Sequence, residues 1–304
     1  MLGLMDEFKA VFIEKGVHVD TPEVIQTLTE TELVELIPAY DGWIAGDDPV
    51  SVSVLDSGNV GQLKVVVKWG VGVDNVDFEA AKKLGISVAH TPNMFGSEVA
   101  DIAISYLIGL AREIFWLDRE VRNGGWPKPR GISLKGKTVG LIGYGDIGKN
   151  IAERLVPIGA NVIVYDPAVA KKQLPLPIKT ISACEWPDQL ELCDFLVFCC
   201  SLNKDNYHML NQETLNSCKQ SVRVVNVARG GLIDERALIG ALESGKVHSA
   251  ALDVFEIEPL PEESKLRTYD HCIFGSHNSS NTFEAVRTTS HRAMGELFSL
   301  LNVS

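Results

Sequence analysis

The stretch Val139-Gly140-Leu141-Ile142-Gly143-Tyr144-Gly145-Asp146-Ile147-Gly148 decides the fold of this chain. Its mostly apolar start predicts a short buried strand, and a Gly-x-Gly-x-x-Gly turn follows at once. Residues 149–156 then carry helical spacing, which places Ile147, Ile151 and Leu155 on one face. A strand, a glycine-rich turn and a helix in this order are typical of a turn that binds phosphate groups.

Each glycine of this turn has its own physical reason. Gly143 allows the tight turn, Gly145 lets the backbone approach a pyrophosphate, and Gly148 lets the helix lie close to the strand. A second strand over residues 161–165 ends in Asp166, about 20 residues after the glycines, where a carboxylate can accept both ribose hydroxyls. The alternative, a loop glycine cluster followed by an unrelated surface Asp, is disfavoured by this order of elements. The sequence therefore predicts a dinucleotide-binding site.

Length and composition set broad limits. With 304 residues the chain is long enough for two domains with cores of their own. The net charge of -12 argues against a nucleic-acid partner, which would require a basic surface. The longest apolar runs, such as residues 195–200, have the length of a strand and predict no membrane span. The six cysteines include no Cys-x-x-Cys pair, so buried, reduced thiols of a cytoplasmic protein are favoured over disulfides or a metal site.

Strands alternate with helices both before and after the glycine turn, which predicts an α/β protein with parallel sheets. We expect two domains. Residues 93–280 would form a Rossmann-type, doubly wound dinucleotide-binding domain. Residues 1–92 and 281–304 would form a smaller, flavodoxin-like α/β domain that binds substrate, with the last helix packing back on it.

Three segments carry more specific expectations. Residues 17–19 are predicted to form a short strand. Residues 98–115 are apolar on all sides of a helix, so this helix is expected to be buried between layers. Residues 118–133 lose helical periodicity and contain Gly, Pro, Arg and Trp, so an exposed arm is expected there. This helix and the arm around Trp126 are expected to form a twofold homodimer interface through the dinucleotide-binding domain.

Three side chains that could carry chemistry follow consecutive predicted strands. Arg229, Glu258 and His277 come just after strands predicted over residues 222–227, 250–254 and 272–275. Ligands of open α/β sheets bind at the carboxyl ends of the strands, so these side chains are expected in one crevice. Any one of them alone would be interpreted as a surface loop residue. Their shared position is what favours an active site.

The motifs at residues 68–77, 143–148, 225–234 and 252–259 resemble those of the D-isomer-specific 2-hydroxyacid dehydrogenases. This family includes D-lactate, glyoxylate/hydroxypyruvate and 3-phosphoglycerate dehydrogenases, and the resemblance runs over nearly the whole chain. It implies an NAD-dependent oxidoreductase that transfers a hydride between the nicotinamide and C2 of a small hydroxy acid.

The resemblance also implies roles for single residues. Arg229, Glu258 and His277 match the catalytic Arg, Glu and His of the family. Val71 and Gly72 match the loop whose backbone N–H groups hold the substrate carboxylate. The cofactor-binding residues expected are Val99, Gly143, Tyr144, Gly145, Asp146, Ile147, Gly148, Asp166, Cys200, Val227, Ala228, Asp253 and His277, with Asp253 at the nicotinamide amide.

The chemistry explains why these residue types are suitable. A histidine can take a proton from the hydroxyl, or return it, because imidazole titrates near neutral pH. Glu258 beside His277 would favour the protonated ring and fix which nitrogen faces the substrate. Arg229 would clamp carboxylate and carbonyl oxygens. The carboxylate of Asp166 would repel the 2′-phosphate of NADP, so NAD is favoured.

The substrate depends on side chains of the first domain. Lys68 occupies a position where some phosphoglycerate dehydrogenases carry a phosphate-facing Arg, but Asp47 and Asp48 would weaken phosphate binding. We therefore expect a D-2-hydroxyacid dehydrogenase of unspecified substrate, with D-3-phosphoglycerate dehydrogenase of serine biosynthesis as the alternative. Lys68 is expected either to contact substrate or to be a solvated lysine beside the loop.

A second class of function uses the same fold. Some proteins of this family are NAD(H)-sensing corepressors, which can retain Arg229, Glu258 and His277, and turnover is the observation that separates them from the enzymes. The chain also departs from the family pattern. Ser276 stands where the family usually has Pro. Members usually begin with a β-strand before the helix that residues 6–15 resemble, so either this sequence starts after that strand or its first sheet is one strand short.

Overall fold

A computed structural model of the chain describes residues 1–24, 26–170 and 180–303. The chain divides into two compact units. The first unit comprises Met1–Met94 and Asn281–Ser304, and the second comprises Phe95–Ser280.

The helices and strands follow one another in two series. The first unit contains α1 (Met5–Glu14), α2 (Glu30–Leu36), β1 (Gly42–Ala45), α3 (Val52–Val60), β2 (Val65–Lys68), α4 (Phe78–Leu84) and β3 (Ser87–His90). The second unit contains α5 (Gly96–Arg112), α6 (Ile114–Arg122), β4 (Thr138–Ile142), α7 (Asp146–Ile158), β5 (Asn161–Tyr165), α8 (Pro167–Ala170), β6 (Ile181–Cys184), β7 (Phe195–Phe198), α9 (Gln212–Ser217), β8 (Val222–Asn226), α10 (Glu235–Glu243), β9 (Val247–Leu252) and β10 (Ile273–Phe274). The chain then returns to the first unit with α11 (Phe283–Leu300). Short 3-10 helices lie at Leu2–Leu4, Ile37–Ala39, Leu190–Leu192, Gly230–Leu232 and Lys265–Thr268.

The sheet of the first unit is parallel, with strand order β1-β2-β3, and helices cover both of its faces. Val65 and Val67 of β2 pack with α1 and α11, for example against Phe8. Val66, between them, packs with α2, α3 and α4, for example against Leu55. This alternation is the period of two that a strand imposes on its side chains, and it produces a three-layer α/β/α arrangement.

Local sequence signals explain where the helices of this unit begin and end. A capping box begins α2, because Thr29 and Glu32 each accept a hydrogen bond from the other's backbone N–H. Gly85, with φ of 72°, ends α4 in the left-handed conformation. The strand predicted over residues 17–19 is wrong. Val17 and Val19 pack against the apolar cluster of α1 and α11 without pairing to a strand.

The sheet of the second unit is also parallel and has the order β10-β9-β8-β7-β4-β5-β6. The order reverses between β4 and β7, as in doubly wound sheets, and the glycine turn follows β4 at this reversal. The predicted α/β fold class is confirmed. Strand β6 is not expected from its sequence pattern, because only Ile181 is buried and Ser182 and Ala183 are exposed.

The apolar helix predicted over residues 98–115 is divided into α5 and α6. Helix α5 ends because Glu113 adopts a left-handed conformation, with φ of 56°. The carbonyl of Ala111 then accepts a hydrogen bond from the N–H of Ile132. The expectation of a single continuous helix is therefore wrong, and the segment without regular structure begins only after α6.

The expectation that this helix is buried on all sides is wrong as well. Ala103 and Leu107 of α5 are fully buried, but Asp101 and Ser105 on another face are exposed. Helix α6 has no buried residue. Among the helices of the described ranges, none is both long and apolar enough to cross a membrane.

Candidate active site

The glycine turn between β4 and α7 has a different constraint at each glycine. Gly143 has φ of 102°, and a Cβ added there would lie 2.8 Å from the Cα of Cys200. A Cβ on Gly148 would lie 2.3 Å from the carbonyl oxygen of Gly143, so only glycine lets α7 pack this closely. At Gly145 no described atom lies within 4 Å of an added Cβ. The backbone there is open to a ligand, and the first N–H groups of α7 have no partner within the helix, an arrangement that fits a pyrophosphate.

Asp166 follows β5 and lies against the glycine turn. Its carboxylate accepts hydrogen bonds from the N–H of Tyr144 at 2.8 Å and from the N–H of Ala168 at 2.8 Å. The first bond joins the carboxylate directly to the turn. Each carboxylate oxygen keeps a further lone pair, which suits it to accept a ribose hydroxyl.

Arg229, Glu258 and His277 lie together, just beyond the carboxyl ends of β8, β9 and β10. Glu258 Oε2 is 2.8 Å from His277 Nδ1, and Arg229 Nη1 is 3.5 Å from His277 Nε2. The side chains of His277 and Glu258 are only 22% and 21% exposed. With Nδ1–H donated to the carboxylate, Nε2 is the ring nitrogen that can exchange a proton with a ligand.

The turn that carries His277 is held by Asp253, which follows β9. The carboxylate of Asp253 accepts hydrogen bonds from the N–H groups of Asn278 at 3.2 Å and Ser279 at 2.9 Å. Its carbonyl accepts the N–H of His277 at 2.7 Å. His277 has φ of 55°, a left-handed conformation that costs a residue other than glycine about 1–3 kcal/mol. Burial, followed by the nearby Asp253 carboxylate, raises the pKa of Tyr106, whose hydroxyl lies 3.5 Å from Asp253 Oδ1.

Two further residues, outside the predicted site, support this arrangement. Asn226 is buried at the end of β8, where its side chain donates to the carbonyl of Arg229 at 2.9 Å and accepts from the N–H of Ala228 at 3.1 Å. A Cβ added to Gly275 would lie 2.1 Å from Asp253 Oδ1. The polar Asn226 in an apolar strand was a usable signal, because a buried amide needs partners. Gly275 gave no such signal.

The other residues predicted to bind cofactor lie near the same edge of this sheet or in neighbouring helices. Cys200 follows β7 and contacts Gly143, while Val227 and Ala228 connect β8 to Arg229. Val99 is buried in α5, and Asp146 and Ile147 form the first turn of α7. Burial raises the pKa of the Cys200 thiol to about 11, so this group is neutral at physiological pH.

Lys68 ends β2 in the first unit and is buried. Its side chain is 2% exposed, and Nζ lies 3.1 Å from Asp47 Oδ1 and donates to the carbonyl of Trp69 at 3.1 Å. The alternative of a solvated lysine is therefore wrong. The neighbouring Asp48 accepts the N–H groups of Leu28 and Gly46 at 2.9 Å and 3.1 Å, so its carboxylate helps to shape the loop.

Val71 and Gly72 follow in the loop after β2, and both are partly buried. The loop begins at Gly70, whose φ of 126° favours glycine. The N–H of Gly70 donates to Thr91 Oγ1 at 2.8 Å, and the same hydroxyl donates to the Gly70 carbonyl at 3.2 Å. Because Thr91 is fully buried, these bonds fix the start of the loop.

Comparison with known proteins is consistent with this geometry. Residues 104–279 match the family model described as D-isomer specific 2-hydroxyacid dehydrogenase, NAD binding domain. The hydroxypyruvate reductase of Thermotoga maritima is 34% identical over 281 residues, 91% of this chain and 90% of that protein. The D-3-phosphoglycerate dehydrogenase of Methanocaldococcus jannaschii is 37% identical over 270 residues, 86% of this chain but 50% of that protein. The crystal structure of the TT0316 protein from Thermus thermophilus superposes with a TM-score of 0.87 at 28% identity, covering 97% of this chain and 94% of that one.

The chain therefore belongs to the D-isomer-specific 2-hydroxyacid dehydrogenase family. It is an NAD-dependent oxidoreductase, as the sequence predicts. The region that matches the NAD binding domain contains the glycine turn, Asp166, Arg229, Glu258 and His277.

Proposed function

We propose that this protein reduces a small 2-oxo acid with NADH, or in the reverse direction oxidises the D-2-hydroxy acid with NAD. The observation that carries the proposal is the His277–Glu258 pair beside Arg229, at the same edge of the parallel sheet as the glycine turn. Ligands of doubly wound sheets bind at this edge. The residues proposed to bind NAD are those of the glycine turn, Asp166, and the side chains at the ends of β7, β8 and β9, together with Val99.

The acid–base step is assigned to His277. When bound, the cofactor would supply the hydride to C2 as NADH or accept it from C2 as NAD. In reduction His277 Nε2 donates a proton to the carbonyl oxygen of the substrate, and in oxidation it takes the proton from the hydroxyl. Glu258, bonded to Nδ1 at 2.8 Å, holds the ring orientation and stabilises the imidazolium form.

Arg229 is assigned to substrate orientation. Its guanidinium is suited to bind a carboxylate or carbonyl oxygen with two N–H groups. Because Nη1 lies 3.5 Å from His277 Nε2, one substrate oxygen can contact both groups as negative charge develops on it. In the first unit, Lys68 and the backbone N–H groups of Val71 and Gly72 are proposed to bind the substrate.

We favour a substrate without phosphate over D-3-phosphoglycerate, which is the main alternative. The ammonium of Lys68 is paired with Asp47 at 3.1 Å, so an incoming phosphate would meet a carboxylate as well as a cation.

A panel of 2-oxo acids assayed with NADH and with NADPH tests the proposal. We expect turnover with at least one of glyoxylate, hydroxypyruvate and pyruvate, and at least about tenfold preference for NADH, because Asp166 disfavours a 2′-phosphate. Phosphohydroxypyruvate as the best substrate would instead support the phosphoglycerate alternative. Tight NADH binding without turnover of any oxo acid would support an NAD(H)-sensing binding protein.

We further propose that the protein is a cytoplasmic homodimer formed through the second unit. Exposed apolar side chains on α6 support this proposal, since Ile114, Phe115 and Val121 are 47%, 41% and 42% exposed. Trp126, just beyond α6, is 77% exposed. The six cysteines are all free, which is consistent with a reducing compartment. No nucleic-acid or membrane partner is proposed.

A further inference from the structure

The loop that carries Glu258 is held from outside by the first turn of α10. Two consecutive N–H groups of this loop donate to different carboxylates. The N–H of Phe255 donates to Glu258 Oε1 at 2.9 Å, and the N–H of Glu256 donates to Glu235 Oε1 at 2.7 Å. Glu235 therefore fixes the peptide next to the one that orients Glu258, whose other oxygen bonds His277.

The contact between α10 and the loop is reciprocal. Glu256 Oε1 accepts the N–H of Glu235 at 3.4 Å, and this N–H, in the first turn of α10, has no partner within the helix. The same oxygen, Glu256 Oε1, also lies 2.5 Å from Nε2 of His208. The backbone of His208 is itself fixed, because its N–H donates to the carbonyl of Gly231 at 2.8 Å.

The same loop packs directly on the turn that carries Arg229. A Cβ added to Gly230 would lie 1.9 Å from the carbonyl carbon of Phe255. A small movement of the loop would therefore change the position of Glu258 and the packing beside Arg229 together. Burial raises the pKa of Glu235, the hydrogen bond from the Glu256 N–H acts against this rise, and the nearby charges of Glu256 and Glu258 add to it.

We propose that Glu235 is a positioning residue for the Glu258–His277 pair, acting through its hydrogen bond to the N–H of Glu256. The proposal rests on the proposed function, in which His277 transfers the proton. Glu235 contacts neither the proton-transfer nitrogen nor the substrate-binding residues. Its effect is expected on the orientation of the imidazole and hence on the rate of the chemical step.

Three substitutions separate the acceptor atom from the charge. Glu235→Gln keeps an oxygen at the same position and removes the charge. Glu235→Asp keeps the charge but shortens the side chain by one methylene, so the oxygen falls short of the Glu256 N–H. Glu235→Ala removes both. The matched control is Arg236→Ala, the next residue of α10, which is exposed.

The variants are assayed with NADH and the best oxo acid of the panel, with NADH binding followed by fluorescence titration and folding by Tm. We expect Glu235→Asp and Glu235→Ala to lower kcat about tenfold, because misplacement of a catalytic group by a fraction of an ångström has effects of this order. KM and the Kd for NADH should change less than about twofold, as should every constant of the control. Glu235→Gln should recover most of kcat.

Several results would overturn this role. They are an unchanged kcat in Glu235→Asp and Glu235→Ala, a kcat for Glu235→Gln as low as for Glu235→Ala, or a parallel loss of NADH binding and Tm. A double variant gives an independent test. In a Glu258→Gln background, Glu235→Ala should lower the residual kcat no further, because the group that it positions is already impaired. An equal additional loss would assign Glu235 to general stability.

The same measurements keep this proposal apart from the proposed function. Full turnover by Glu258→Gln or Glu258→Ala would contradict the catalytic assignment itself, whereas impaired Glu258 variants with unaffected Glu235 variants would contradict only the positioning role.

A bound metal ion is the alternative explanation to test for the cluster of His208, Asp234 and Glu256, since ligand atoms of these residues lie within 4.8 Å of one another. We expect no change in kcat after dialysis against EDTA. A loss restored by Zn²⁺ would assign the cluster to a metal and overturn the proposal.

Discussion

His277 is held in position by hydrogen bonds from the backbone of its turn to Asp253, a residue that is distant in sequence. Its left-handed φ of 55° would be unfavourable in an isolated loop, and the bonds from the turn to Asp253 compensate for it. The result is an imidazole with Nδ1 fixed on Glu258 and Nε2 directed toward Arg229. The residue type and its place after a strand could be recognised from the sequence. The turn geometry could not, because it depends on a carboxylate more than 20 residues earlier, roughly one supersecondary unit away.

The first prediction at this scale concerns His277→Gln. Glutamine cannot exchange a proton near neutral pH, so kcat should fall by about 10²–10⁴-fold. The Kd for NADH should change less than about threefold, because the glycine turn and Asp166 are untouched. Steady-state kinetics and fluorescence titration measure the two effects. His18→Gln, a substitution at an 85% exposed side chain in the first unit, is the control. Loss of NADH binding together with turnover would mean that His277 is structural.

Elements whose signals are local could be predicted well. The strand–turn–helix unit, the capping box of α2 and the glycine end of α4 all depend on residues within one or two helical turns of each other. Three predictions failed where the decision is not local. Residues 17–19 alternate like a strand, but Val17 and Val19 pack on a cluster of apolar side chains and pair with no described strand. The left-handed Glu113 divides α5 from α6, and β6 is a strand because it pairs with β5.

In the candidate site, too, features set by the order of strands could be predicted, whereas contacts set by packing could not. That Arg229, Glu258 and His277 would come together could be inferred, because parallel strands place their carboxyl ends on one edge of the sheet. The partners that hold these side chains could not be inferred. The side chain of Asn226 donates to the carbonyl of Arg229 across a turn. Glu235, in the first turn of α10, accepts a hydrogen bond from the N–H of Glu256 in the loop that carries Glu258. Such contacts depend on packing between elements rather than on any pattern within one.

The prediction at the element scale compares two glycines of the turn before α7. Gly145→Ala adds a Cβ with no described neighbour within 4 Å, so Tm should change by less than about 2 °C. NADH affinity should fall at least about tenfold, because the methyl group occupies the space through which the backbone approaches the pyrophosphate. Gly148→Ala places a Cβ 2.3 Å from the Gly143 carbonyl oxygen and should destabilise the protein by about 1–3 kcal/mol. Thermal unfolding and NADH titration of both variants measure this. A Gly145→Ala protein that binds NADH normally would contradict the assignment of this turn to the pyrophosphate.

At the scale of the whole molecule, the exposed apolar side chains of the second unit bear on assembly. Helix α6 exposes the apolar side chains of Ile114, Phe115 and Val121, and none of its residues is buried. In α5, Ile104 and Ile108 are only partly buried. A group of exposed apolar side chains on one helix is more typical of a protein–protein interface than of free surface. A twofold interface would pair each of these patches with its own copy.

The homodimer is tested by two charge-introducing substitutions on this surface. Wild-type protein should have about twice the chain mass of 33.2 kDa by light scattering at micromolar concentration. Trp126→Glu and Ile114→Glu should each weaken the dimer at least about tenfold, because burying a carboxylate in an apolar interface without a partner costs more than 1.4 kcal/mol. Ile13→Glu, at a side chain that is 75% exposed on α1 of the first unit, should leave the mass unchanged. A monomeric wild-type protein would contradict the dimer, and dissociation by Ile13→Glu alone would move the interface to the first unit.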